Sequence, residues 1–129
     1  MKMFKKISLT ILIIGYLYAG TNHFREPASY IRIIPPYIPY PKLMNLLAGI
    51  FEILFGLLLI PKTTRPLAAW GILLMLAAFL PVHIQMIIDA PLKLGTFTVT
   101  PLITWIRLFL QPVLMLWAWW YTKPDNVTS

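Results

Sequence analysis

Cysteine is absent from the sequence, which excludes thiol exchange, thiolate zinc sites and iron–sulfur ligation by this chain. A redox role would therefore need a borrowed cofactor. Charge is scarce too: only 12% of the residues are Asp, Glu, Lys or Arg, and only four of those are acidic against 11 basic. A soluble domain carries roughly twice that charged share. The place of charge is taken by apolar side chains, 59% of the 129 residues, with a mean hydropathy of +0.76. A soluble fold this small could not hide so much apolar surface, whereas a bilayer accepts it and demands only that backbone polar groups be satisfied internally, which favours helices.

The net charge of +7 raises the question of nucleic acid, where clustered Lys and Arg neutralise phosphates. Here the basic residues fall mainly between apolar segments. They read as topology signals and contacts to anionic head groups, and no nucleic-acid partner is expected.

Four apolar segments follow one another. Lys2, Lys5 and Lys6 precede a run over about 7–24, long enough to cross the roughly 30 Å hydrocarbon core as helix 1. A cleaved signal peptide is the competing reading, against which Leu17 is a poor residue at the −3 position of a site ending at Ala19. Pro27, Pro35, Pro36, Pro39 and Pro41 then forbid a continuous helix, while Tyr30, Tyr37 and Tyr40 favour the membrane–water boundary, so a structured interfacial loop is expected. Helix 2 is expected over about 42–60, ending at Pro61 before the basic turn of Lys62, Thr63, Thr64 and Arg65. Helix 3 is expected over about 66–89, with Pro66 in its first turn and a bend at Pro81. Pro91, Gly95 and a Thr-rich stretch make a loop before helix 4, over about 101–121, whose Trp117, Trp119, Trp120 and Tyr121 read as an aromatic girdle.

The fold class expected is thus all-α: one integral membrane four-helix bundle spanning 1–129, with a proline-rich interfacial loop between helices 1 and 2. Lys2, Lys5, Lys6, Lys62, Arg65 and Lys123 on one side outnumber Arg25, Arg32, Lys42 and Lys93 on the other, which places both termini in the cytoplasm. The sequon-like Asn126, Val127 and Thr128 would sit on the wrong side for glycosylation and read as a chance match.

Ionisable residues inside the spans carry the functional signal. Glu52, His83 and Arg107 lie roughly 9 to 15 Å below the outer surface at about 1.5 Å per residue, so they can meet in one layer. Each would cost about 2.5 to 3.5 kcal/mol if exposed alone near the bilayer centre, so they should turn inward and pair, Glu52 with Arg107. Helical spacing supports this: Asn45, Gly49, Glu52 and Gly56 share one face, Thr100, Thr104, Arg107 and Gln111 another, and Tyr16, Ala19, Gly20 and His23 a third. Gly20, Gly49 and Gly56 would let helices approach closely. Pro81 and Pro112 should free the carbonyls of Ala77 and Leu108 for polar partners.

Two interpretations of this cluster stand side by side: a structural cross-link that fixes helix pairing, and a ligand or proton site in the outer half of the bundle. A bis-histidine haem would need His23 and His83 at one depth, which their positions disfavour. A metal held by His23, Glu26, His83 and Asp89 lacks any ligand spacing within one helix, so no metal is expected.

Several of these residues together resemble the DoxX-like family of small four-helix membrane proteins. The resemblance rests on Ala19, Gly20, His23 and Phe24 with Pro27 and Tyr30; on Pro35, Pro36, Tyr37, Ile38 and Pro39; on Gly49, Glu52 and Gly56; on Arg65, Ala68 and Ala69; and on Arg107, Gln111 and Pro112. It covers 15–117 and crosses the would-be signal cleavage point. The resemblance implies a bundle in a bacterial cytoplasmic membrane, and its namesake looks like a subunit of a thiosulfate:quinone oxidoreductase. Other members are associated with redox complexes or with assembly of membrane partners. His83 stands where relatives often carry another small polar residue, which argues against a catalytic role for it. The lack of cysteine separates this chain from relatives linked to disulfide chemistry.

The function expected is a redox-associated accessory subunit binding a quinone or similar amphiphile in a pocket formed by His23, Glu52, His83, Arg107 and Gln111, covered by the proline-rich loop. The alternative is a non-enzymatic assembly partner, acting on a membrane or redox protein or on a second copy of itself. Small-molecule transport is less favoured, because four helices enclose little space.

Overall fold

The computed structural model describes residues 2–123 and is mostly helical. Helix α1 spans Met3–Arg25, α2 Pro27–Ile33, α3 Pro41–Leu58, α4 Arg65–Ala78, α5 Leu80–Asp89 and α6 Pro101–Trp119, with a hairpin of β1, Leu92–Leu94, and β2, Phe97–Val99, between α5 and α6. Four segments are long and apolar enough to cross a membrane: α1, α3, α4 with α5 as one stretch from Arg65 to Asp89, and α6. The sequon at Asn126 lies outside the described residues.

Every buried residue of α3, namely Asn45, Gly49, Glu52 and Gly56, belongs to the stripe that helical spacing picks out. That stripe packs on α1, and glycine is what allows it. A Cβ on Gly49 would lie 2.9 Å from the His23 Cβ, and one on Gly20 would lie 2.6 Å from Ile53 Cγ1 and 2.9 Å from the Gly49 carbonyl oxygen. Gly56 meets Leu17 at a looser 3.0 Å. At the far end Arg65 turns inward and donates to the carbonyls of Leu59 and Ile60 at 2.8 and 2.7 Å, satisfying acceptors that the end of α3 leaves without helical partners. Around this Arg65 end sits the apolar core: Leu9 and Leu12 from α1, Leu59, Ala68, Ala69, Ile72 and Leu76 from the α3–α4 arm, and Ala118 and Tyr121 from the last segment.

Several expectations are corrected. The proline-rich stretch contains a helix, α2, because Pro27 occupies a first-turn position where its fixed φ and missing N–H suit a helix start. The later prolines stop it at Ile33. The stretch after Pro91 is a β-hairpin and not a plain loop, with Leu92 facing Val99, Lys93 facing Thr98 and Leu94 facing Phe97. Gly95 supplies the positive φ of 64° at its turn, and Leu92 and Val99 bury together with Met86. The third span keeps right-handed helical backbone through Phe79, but its hydrogen-bond ladder is interrupted there, between α4 and α5, because Pro81 in the first turn of α5 lacks the N–H that would continue it. The freed carbonyl that gains a side-chain partner is that of Leu76, not Ala77.

The aromatic girdle also divides. Trp119 and Trp120 are exposed, but Tyr121 is buried; its hydroxyl donates to the Lys5 carbonyl at 3.1 Å and accepts from the Ser8 hydroxyl at 2.8 Å. Trp117 donates its indole N–H to the same Ser8 oxygen at 2.8 Å. The two rings therefore fasten the end of α6 to the start of α1.

Candidate functional site: a polar-ended cavity between the helices

The helices enclose a space that runs from the hairpin down to Leu12, Leu76 and Trp117. This cavity of about 800 Å³ lies between α1, α3, the α4–α5 stretch and α6, and Ile33, Ile34 and Ile38 from the α2 region and Leu94, Phe97 and Val99 from the hairpin also line it. Its wall is mainly apolar, interrupted by Tyr16, His23, Tyr30, Asn45, Glu52, His83 and Arg107.

On the α1–α3 side, His23 is held from three directions. Its Nδ1 lies 2.7 Å from Asn45 Oδ1, its Nε2 lies 2.6 Å from Glu52 Oε1, and its ring stacks on Tyr30 with centroids 3.9 Å apart. The Asn45 amide orientation is fixed by Nδ2, which donates to the His23 carbonyl at 3.0 Å, so its oxygen is what faces the ring. Nδ1 must then carry a hydrogen. Nε2 and a carboxylate oxygen at 2.6 Å cannot both be bare, so a further proton lies between His23 and Glu52, whose buried Oε1 takes no other partner among the described residues. Tyr30 accepts from Asn22 at 2.9 Å, and burial pushes its phenol above the ordinary value, so the stacked ring stays neutral.

On the α5–α6 side, Gln111 is fully buried and donates Nε2 to the Leu76 carbonyl at 2.6 Å. That bond turns its Oε1 to Arg107, whose NH1 donates to it at 2.7 Å. Helical side chains lean toward the helix N-terminus, here toward the hairpin end. Gln111, leaning that way, meets Arg107 one turn earlier, and Arg107 lines the cavity. His83 is 9% exposed and also lines the cavity, and its Nδ1 is buried with no hydrogen-bond partner among the described residues.

Glu52 and Arg107 both reach the cavity, yet they do not pair; among the described residues the carboxylate's ion-pair partner is His23. Judging depth by Cα position conceals this partner. In antiparallel α1 and α3 the side chains lean toward opposite ends, so His23 and Glu52 lean toward each other across the gap that Gly49 opens. Asn45 and Tyr16 share stripes with site residues, so spacing alone could have enrolled them. Nothing in the sequence places Tyr30 on His23. The suggested metal ligands do not gather: Asp89 accepts from Gln85 at 3.1 Å, Glu26 is exposed, and no group of three or more His, Asp or Glu suited to a metal forms among the described residues.

Residues 12–122 match the family model described as a domain of unknown function, DUF8561. No curated protein and no solved structure matches the chain.

Proposed function

We propose that this chain, which belongs to the DUF8561 family, is a multi-pass membrane protein that binds a quinone or similar amphiphile between its helices as an accessory to membrane redox chemistry. The observation that carries the proposal is the cavity: about 800 Å³, within the range of small-molecule sites, apolar along most of its wall and polar at a few converging side chains. That distribution suits a ligand with an oily body and an oxygen-bearing head. Exposed apolar side chains on all four spans, such as Ile7, Ile14, Leu47, Leu74, Phe109 and Leu116, support a lipid setting.

In this reading Arg107 orients a head-group oxygen, Gln111 positions Arg107, and the α2 region with the hairpin covers the entrance. A quinone would supply electron transfer, and its carbonyl oxygens would match the donors of Arg107 and His83. The resemblance to DoxX-like proteins belongs to the same reading, as does placement in a bacterial cytoplasmic membrane with both termini inside.

The test is mild detergent extraction followed by mass spectrometry of bound small molecules. Stoichiometric recovery of a quinone or another defined amphiphile is the expected result. Repeated recovery of bulk phospholipid alone would overturn the proposal.

A further inference from the structure

Among the described residues Glu52 is the only acidic residue lining the cavity, and it is committed to His23 at 2.6 Å. Arg107, half-buried in the same cavity, makes no ion pair among the described residues. A guanidinium does not lose its proton in proteins, so the charge persists and cannot be relieved by neutralisation. The usual escape is for the side chain to snorkel toward the nearer interface. Here the guanidinium is tied within the protein: the Leu76 carbonyl, freed by the break at Phe79, holds Gln111, and Gln111 holds Arg107 NH1.

We infer that the cavity takes an amphiphile whose head is an anionic oxygen group, a carboxylate or a phosphate, seated on Arg107 with its chain along the apolar wall. The inference rests on the amphiphile reading above and narrows it to one ligand chemistry. An anion supplies what the protein withholds from Arg107, while the His23–Glu52 pair opposite carries no net charge to repel it. His83 adds a second point of recognition. With no acceptor at buried Nδ1, the favoured neutral tautomer leaves that nitrogen bare and puts the hydrogen on Nε2, so the wall offers two donors to one oxygen-rich head. Tyr16, whose hydroxyl makes no hydrogen bond among the described residues, adds a further polar group to the same lining.

The experiment is native mass spectrometry of the full chain in detergent micelles with four probes: palmitate, hexadecanol, lysophosphatidate and a short-chain quinone, at a pH where the carboxylic acid is ionised. Palmitate or lysophosphatidate, or both, should bind at least about tenfold more tightly than hexadecanol, the factor expected of a charge-assisted hydrogen bond. Their relative strengths tell a carboxylate site from a phosphate site. Arg107→Gln should abolish the preference and Arg107→Lys should keep part of it; should the glutamine variant fail to fold, the comparison of the two anionic probes with the alcohol in the unaltered chain still decides. Hexadecanol binding as tightly as both palmitate and lysophosphatidate would overturn the inference. Binding of the quinone alone would overturn it and leave the broader reading standing. Binding of none of the probes would end both.

Discussion

At the residue scale, the ionisable side chains inside the spans solve their burial problem in different ways. Glu52 and His23 form a close pair, Arg107 is bonded to a fixed amide, and His83 keeps a buried nitrogen with nothing to bond. Removing one member of a buried pair strands the other, at a cost of about 3 to 5 kcal/mol, whereas replacing both with apolar residues is often close to neutral. His23→Leu should therefore lower the thermal stability of the detergent-solubilised protein much more than the double change His23→Leu with Glu52→Leu. If the double variant were as unstable as the sum of the singles, the pair would not be the unit described. Much of this was legible in the sequence: a Glu, an Arg and a Gln in apolar stretches announce themselves, and their helical spacing gave the correct inward faces. The pairing was not legible, because partner choice between antiparallel helices depends on the lean of Cα–Cβ bonds and on a gap one glycine wide, and neither appears in a pattern of polar positions.

At the element scale, the α1–α3 contact depends on backbone approach at Gly20 and Gly49. An added methyl at Gly49 would meet His23 and the Phe24 ring at about 2.9 Å, while at Gly15 it would meet nothing within 4 Å. Gly49→Ala is thus expected to cost about 1 to 3 kcal/mol through overpacking and to disturb the His23 site. Gly15→Ala should be silent or slightly stabilising, which circular-dichroism melts of the two variants will compare. The lock between the chain's first and last spans invites a smaller test: Tyr121→Phe removes the hydroxyl that bonds Ser8 and Lys5 and should cost about 0.5 to 1.5 kcal/mol in the same melts. Sequence pattern found all four long helices to within a few residues at most ends, because their apolar runs are long. It missed α2 and the hairpin, where proline reads first as a breaker and three-residue strands are too short for alternation to stand out. It also assigned Trp117 and Tyr121 to an interface, since nothing local shows that Ser8, more than a hundred positions away, waits for them.

At the scale of the whole molecule, the two ends of the bundle differ. The Arg65 end holds the packed core of Leu, Ile and Ala, while the cavity runs from the edge of that core at Leu12 and Leu76 to the hairpin and gathers His23, Glu52, His83 and Arg107 along its way. Our proposed orientation sets the hairpin end on the outer side, and the absence of native cysteine makes it easy to test: Lys62→Cys should react with an impermeant maleimide only after the membrane is opened, and Lys93→Cys in intact cells. The reverse pattern would invert the topology without moving the site. The central claim is that Glu52 is held by His23, leaving Arg107 to the cavity. The chain has only two histidines, one on each wall, so nitrogen-15 NMR of the histidine-labelled protein in nanodiscs gives two resolvable rings. Glu52→Gln should shift the His23 nitrogens strongly and Arg107→Gln should leave them in place. If Arg107→Gln moved the His23 signals while Glu52→Gln did not, the pairing at the centre of this account would be contradicted.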